Sequence, residues 1–216
     1  LHAVTPATAA YTAGRTDGTQ AFSLNGTNAY LQLPYEVASN RELTVALWVY
    51  WRGGVAHQRL FDFGNGPDAY IYLTPSEGNR MQLILKNGAT EQTLDCPTWL
   101  ERYSWQHVVV TFDAQGQAVV YVNGQPLAQA TGLTIGPADI HPLLNYIGRG
   151  QDSSAPLLRG NVADISVYSR ALTADEVATL HSTSTQVRSA AADATATSPT
   201  YYNLAGQRIT AKTSHP

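Results

Sequence analysis

The sequence predicts an all-β domain, a sandwich or barrel of antiparallel strands with one short helix near its C-terminal end. Three observations predict it. Short β-branched and aromatic runs recur from Gln20 onward, separated by Gly, Asn, Pro and Asp. A hairpin signature, WQHVVVTFDAQGQAVVYVNG, spans Trp105 to Gly124. One capped helical pattern follows the last strand-like run. Neither βαβ alternation nor an internal repeat of about 20–50 residues is visible.

The elements follow in chain order. Residues 1–19 are small and polar and read as a lead-in strand or linker. From residue 20, AFSLNG, AYLQLP, LTVALWVYW, RLFDFGN, AYIYLT, MQLILKNG and EQTLDC read as strands. In the hairpin, Val108, Val110 and Phe112 alternate with His107, Val109 and Thr111, so one set faces a core. Asp113 to Gly116 is turn chemistry, and Asn123-Gly124 supplies the positive φ angles of a tight two-residue turn. LNYIGRG and ADISVYS complete the strand-like runs. Thr173-Ala-Asp-Glu176 is a capping box, and Val177 and Leu180 give its helix an apolar face over two or three turns. The domain therefore spans 20–182. Residues 183–199 are rich in Ser, Thr and Ala and read as a linker. In the tail, 200–216, YYNLAGQRI regains strand character around a turn at Ala205-Gly206.

Composition narrows the function classes. Charged residues make up 13% of the chain, apolar ones 44%, and the formal net charge is −3, so no basic face for nucleic acid is implied. No apolar run approaches the roughly 18 residues of a membrane helix. Cys96 is the single cysteine, which excludes an intrachain disulfide, and its apolar setting reads as a buried inert thiol. The chain begins at Leu1 without an export-signal pattern and reads as a piece of a longer protein.

These residues carry a family resemblance. LNGTNAYLQLP resembles the opening strand of laminin G-like domains, and ELTVALWVYW the strand that follows, with Trp48 in place. WQHVVVTFD with VYVNG resembles their central hairpin. NYIGRG followed by GNVADISVYSRALTADEV resembles the closing strand and short helix. The ordered set is identified as the laminin G-like branch of the concanavalin A-like lectin/glucanase superfamily. It implies a two-sheet antiparallel jelly-roll sandwich of about 12–14 strands with one short C-terminal helix. RLFDFGN, AYIYLTP and NYIGRGQ together are similar to modules attached to secreted bacterial glycoside hydrolases, which act largely on arabinose-containing plant glycans. The tail resembles the segment that ends many exported Bacteroidetes proteins, although it stops soon after its glycine and arginine.

Catalytic patterns are missing. Superfamily hydrolases resemble one another in a Glu-x-Asp-x-x-Glu strand, whose alternation sets two carboxylates on one face. No glutamate here has an aspartate two residues later, and Asp62 is alone on its strand. HExxH and GxSxG patterns do not occur. His107 shares a face with Trp105 and reads as a packed or hydrogen-bonded histidine. The expectation is a module without catalytic residues.

Sugar recognition needs aromatic rings for the C–H faces of the ligand and amides or charges for its hydroxyls. Trp51, Tyr70 and Tyr72 are candidate platforms, and Asn145, Arg149, Gln151 and Asp152 occupy a polar stretch after an apolar strand. Trp48 and Trp105 lie in apolar runs and read as core, whereas Trp99 lies in a loop and is open to either reading. The resemblance also allows a structural Ca²⁺, which needs six to eight oxygens. Of the family's usual acids only Asp164 remains, with Asn28 and Asn25 at aspartate positions and Ala163 at another. Asn28 and Asp164 are the candidate ligands, and no other cofactor is implied.

The expected function is a non-catalytic carbohydrate-binding or accessory module of a secreted, periplasmic or surface glycoside hydrolase. Its partners would be a plant-type glycan, the neighbouring catalytic domain, or both. The alternatives are a structural module that packs on a catalytic domain and a protein-binding adhesion module.

Overall fold

The computed structural model describes residues 10–183 in full, and 2–4, 184–185, 201–202 and 208–209 as backbone. Among the described residues fourteen strands build the sandwich, in order: β1 (His2–Val4), β2 (Tyr11–Ala13), β3 (Gln20–Asn25), β4 (Tyr30–Leu33), β5 (Leu43–Trp51), β6 (Phe61–Gly64) and β7 (Ala69–Glu77); then β8 (Arg80–Asn87), β9 (Thr90–Asp95), β10 (Trp105–Phe112), β11 (Ala118–Val122), β12 (Gln125–Ala130), β13 (Leu144–Ile147) and β14 (Arg159–Tyr168). They form two seven-stranded sheets. The front sheet has the order β1-β4-β13-β6-β7-β8-β9, and the back sheet β12-β11-β10-β5-β14-β3-β2. Neighbours in both sheets pair antiparallel. The sandwich and strand number match the expectation.

Period-two alternation builds the core. Val45, Leu47, Val49 and Trp51 of β5 face inward with Val108, Val110 and Phe112 of β10, against Phe61, Phe63, Ile71, Leu73, Leu83 and Leu85 of the front sheet. Each fully buried large side chain contributes about 1.5–3 kcal/mol through removal of apolar surface from water. The hairpin closes as its sequence requires. Asp113 Oδ1 accepts the N–H groups of Gln115 and Gln117, and Asn123 and Gly124 take φ 52° and 78°. Asn123 also ties down the strand beside it: its Oδ1 accepts His107 N–H at 2.9 Å and its Nδ2 donates to Gln106 Oε1 at 2.6 Å. Pro126 is tolerated in β12 because that strand is an edge, and the register shifts beside it.

The outer face of the back sheet is covered by helix. That cover is α2 (Ala174–Thr185); a single helical turn, α1 (Pro137–Ile140), which the sequence does not signal, lies instead against β7 and β8 of the front sheet. In α2, Thr173 N–H donates to Glu176 Oε2 at 2.9 Å and Glu176 N–H to Thr173 Oγ1 at 3.3 Å, the reciprocal capping box. Val177 and Leu172 pack on Ala46, Val109, Val119 and Tyr121, with Leu180 beside them. Nearby, Trp48 lies 5.1 Å from the His107 ring and 5.3 Å from the His181 ring, with the Arg15 guanidinium 4.1 Å above it. His107 is buried, and desolvation, with His181 and Arg15 nearby, lowers its pKa to about 4, which keeps it neutral. The helix runs three residues into the segment expected to begin a linker at 183; residues 186–199 lie outside the described residues. The lead-in supplies an edge strand to each sheet, through β1 on β4 and β2 on β3. In the tail, β15 (Tyr201–Tyr202) and β16 (Arg208–Ile209) pair antiparallel, and the expected turn between them is outside the described residues.

Candidate functional site

The outer face of the front sheet is polar and aromatic, buried along its central row and half-exposed at Tyr30, Tyr70 and Arg149. Register places Gln32, Tyr146, Asp62, Tyr72, Ile84 and Thr93 in one row across it. The adjacent row holds Leu144, Gly64, Tyr70, Lys86 and Glu91. Two tyrosine–arginine clusters therefore flank Asp62. On one side Tyr30 meets Tyr146 edge-on at 5.7 Å, and the Arg149 guanidinium carbon lies 4.6 Å and 5.1 Å from their ring centroids. On the other, Tyr70 and Tyr72 lie 5.3 Å apart and Arg59 covers Tyr72 at 3.5 Å. Tyr72, Tyr146, Arg59 and Asp62 are buried and form the floor, while Tyr30, Tyr70 and Arg149 are half-exposed. Among the described residues Arg149 has no carboxylate within ion-pair distance, so its fork of donors points to solvent and rings alone.

Asp62 is the electrostatic centre of this face. It is 2% exposed, and burial raises its pKa to about 7 against the opposing pull of Gln151 N–H and Arg59. Its Oδ2 accepts Gln151 N–H at 3.0 Å and stands 3.7 Å from Arg59 Nε, while its Oδ1 has no partner. The row that contains it has no second carboxylate, so the acid and base pair that glycoside hydrolysis requires is not assembled there.

The candidate residues divide. Tyr70, Tyr72, Arg149, Gln151 and Asp152 come to this face or its rim. Gln151 lies across Gly64 and is held by backbone: Nε2 donates to Leu144 O at 2.8 Å and Oε1 accepts Gly66 N–H at 3.1 Å. It braces the rim, since its amide is already engaged. Asp152 is exposed and accepts Ser154 N–H, and these bonds lower its pKa. Trp51 is corrected: it is 0% exposed in the core, with Nε1 donating to Gln58 Oε1 at 2.7 Å, because its parity in β5 points inward. Asn145 is also corrected. It is fully buried on the inner side of β13 and donates to the carbonyls of Pro34 and Tyr35, which pins the 3₁₀ turn Tyr35–Ala38. Sequence reading missed Tyr30, Tyr146 and Arg59. Parity within LNYI, with Asn145 inward, was the signal for Tyr146; Arg59 lies outside any strand and gave none. Cys96 is buried and its thiol pKa is pushed up to about 12, as an inert thiol requires.

The candidate calcium ligands do not converge. Asn25 pairs with Arg159, and Asp164 lies five residues further along β14. That is about 16 Å at strand spacing, with Asn28 beyond Asn25 on the other side. Asn25 Oδ1 accepts the N–H groups of Thr27, Asn28 and Ala29, and Asn25 Nδ2 donates to Asn28 Oδ1 at 2.7 Å. This loop satisfies its own amides without a cation. Asp164 meets Arg15 at 3.3 Å. It is this separation along the antiparallel pair that keeps Asn28 and Asp164 from sharing one ion; among the described residues no group of three or more His, Cys, Asp or Glu is arranged for a metal.

Two packed sheets with a polar–aromatic open face define the class, a concanavalin A-like jelly roll. The chain belongs to the laminin G-like family of the concanavalin A-like lectin/glucanases superfamily, whose pattern matches residues 25–178. No curated protein sequence matches it. Among solved structures it is similar to domain 4 of an extracellular GH43 arabinanase from Geobacillus stearothermophilus, in complex with arabinotriose. That likeness has 24% identity, a TM-score of 0.68, and 81% of each chain covered. It is also similar to the CBM40 module of the Ruminococcus gnavus IT-sialidase bound to α2,3-sialyllactose. Here identity is 20% and TM-score 0.65, with 74% of this chain and 95% of the other covered. A native heptameric pentraxin of Limulus polyphemus shares 20% identity at a TM-score of 0.53, over 74% and 80% of the two chains.

Proposed function

We propose that this domain is a non-catalytic glycan-binding module, accessory to a secreted glycoside hydrolase, and that the outer face of the front sheet holds the glycan. The observation that carries the reading is the register that sets Tyr30, Tyr146 and Arg149 on one side of Asp62 and Tyr70, Tyr72 and Arg59 on the other. Rings accept the C–H faces of sugars, and the guanidinium of Arg149 donates to hydroxyl or ring oxygens. The similar solved modules bound to arabinotriose and sialyllactose support a saccharide ligand. The single carboxylate in the central row supports binding without hydrolysis. Among the described residues no helix is long and apolar enough to cross a membrane.

A glycan array followed by calorimetry on the domain tests this. Binding should weaken about tenfold in Tyr70→Ala and in Arg149→Ala, from loss of a stacking or charge-assisted contact. No binding to any plant or host glycan would sink the proposal. Exposed Leu143 and Leu144 beside the face would then favour packing against a neighbouring domain.

A further inference from the structure

A cavity lies on the flank of the sandwich, away from the open face. Where β8 of the front sheet approaches β10, β11 and β12 of the back sheet, the segment 98–102 roofs a cavity of about 450 Å³. That volume falls within the roughly 300–1,000 Å³ of small-ligand pockets. Its floor is apolar, from Met81, Leu100, Val122 and Leu127. Trp99 stands at the mouth, 45% exposed. The Arg102 guanidinium carbon lies 5.6 Å from the Trp99 ring and 5.0 Å from that of buried Trp51. Among the described residues it has no carboxylate within ion-pair distance. Glu101 joins the lining and takes one hydrogen bond, from Gln106 Nε2 to its Oε2 at 3.2 Å. Trp99, Arg102 and Glu101, whose carboxylate takes a single hydrogen bond, therefore line one cavity together.

We propose that this cavity is a second saccharide site, for a neutral sugar ring. The indole takes the apolar C–H face of the ring. Arg102 and Glu101 form a donor and acceptor pair suited to two adjacent hydroxyls, one accepting from the guanidinium and one donating to the carboxylate. Their charges cancel, so the site gives an acidic sugar no net attraction. None of these residues belongs to the open face, so the site stands independently of Tyr70 and Tyr72.

The test is proton–nitrogen correlation NMR of the whole chain, with arabinotriose, xylotriose and maltotriose as neutral probes and sialyllactose as the acidic one. The reporter is the Trp99 indole N–H, assigned by its disappearance in Trp99→Phe. At least one neutral probe should shift that resonance saturably, and equally in Tyr70→Ala/Tyr72→Ala. Glu101→Gln and Arg102→Ala should each weaken the titration about tenfold, as loss of a charge-assisted bond requires. Trp99 and Arg102 are exposed, so these changes leave the core intact. An unmoved Trp99 resonance with every probe overturns the second site, and does so without touching the open face if tyrosine-face resonances still titrate. A response to sialyllactose alone overturns the neutral-sugar assignment.

Discussion

Arg59 lies flat on Tyr72, its guanidinium carbon 3.5 Å from the ring centroid, while its Nε stops 3.7 Å short of Asp62 Oδ2. The ring holds the guanidinium, and the ion pair with Asp62 is long. The other oxygen, Oδ1, has no hydrogen-bond partner, and burial dominates the protonation of the acid.

That buried acid has a measurable consequence for stability. Its pKa rises on folding from 3.8 to about 7, so between those values the native state holds a proton that the unfolded chain has released. Stability then falls as pH rises, by about 1.4 kcal/mol per unit and on the order of 4 kcal/mol across the window. His107 works in the opposite direction. Its pKa drops from 6.5 to about 4, so the unfolded chain binds the extra proton and stability rises with pH through that range. The two slopes oppose each other from about pH 4 to 6.5. Urea unfolding at several pH values should show a rising profile in Asp62→Asn and a falling one in His107→Asn. Identical pH profiles in both variants would contradict this opposition.

Trp51 packs in the core with its indole N–H bonded to Gln58 Oε1 at 2.7 Å. Trp51→Phe leaves that acceptor buried and unpaired and opens space around the smaller ring. The expected cost is about 2–3 kcal/mol, read from the urea midpoint. Glycan affinity at the open face should not change, because the side chain does not reach that face.

Gly64 sits between Leu144 and Tyr70 in the second row of the open face. A Cβ there would stand 2.6 Å from Ala69 O and 2.9 Å from both Gln151 Cδ and Tyr70 Cβ. Gly64→Ala should therefore displace Gln151 and Tyr70 together. Chemical shifts of both residues and a several-fold loss of glycan affinity are the measurements, with one displaced stacking contact worth about 1 kcal/mol.

Glu176 accepts Thr173 N–H and forms a two-pronged pair with Arg170, at 2.7 Å on each oxygen. Those bonds, Arg170 foremost, bring its pKa down to about 2. Glu176→Ala removes half of the capping box and should cost about 1 kcal/mol. Hydrogen exchange should report this as faster opening of the first turn of α2, ahead of any change in the sheets.

The β framework was readable because alternation, turn residues and the capping box are local signals. Val108 to Phe112, Asn123-Gly124 and Thr173 to Glu176 each state their conformation within a few residues. The site was only partly readable. Tyr70, Tyr72 and Arg149 sit on or beside strands whose character was plain. Their partners depend on which strands neighbour one another, and β13 between β4 and β6 is a long-range pairing that no local pattern encodes. Trp51 and Asn145 misled for a related reason. Each has the chemistry of a sugar contact, but strand parity turns each inward, and parity is settled only when a face is assigned to the core.

The cover of α2 over one sheet makes the sandwich directional. Ala178 and His181 lie against Gly124, on the side of the back sheet. The chain therefore reaches Thr185 behind the molecule, as a strap fixed to the back of a shield. A glycan held as proposed above, at Tyr30 and Tyr70, would therefore lie on the side of the sandwich opposite to α2.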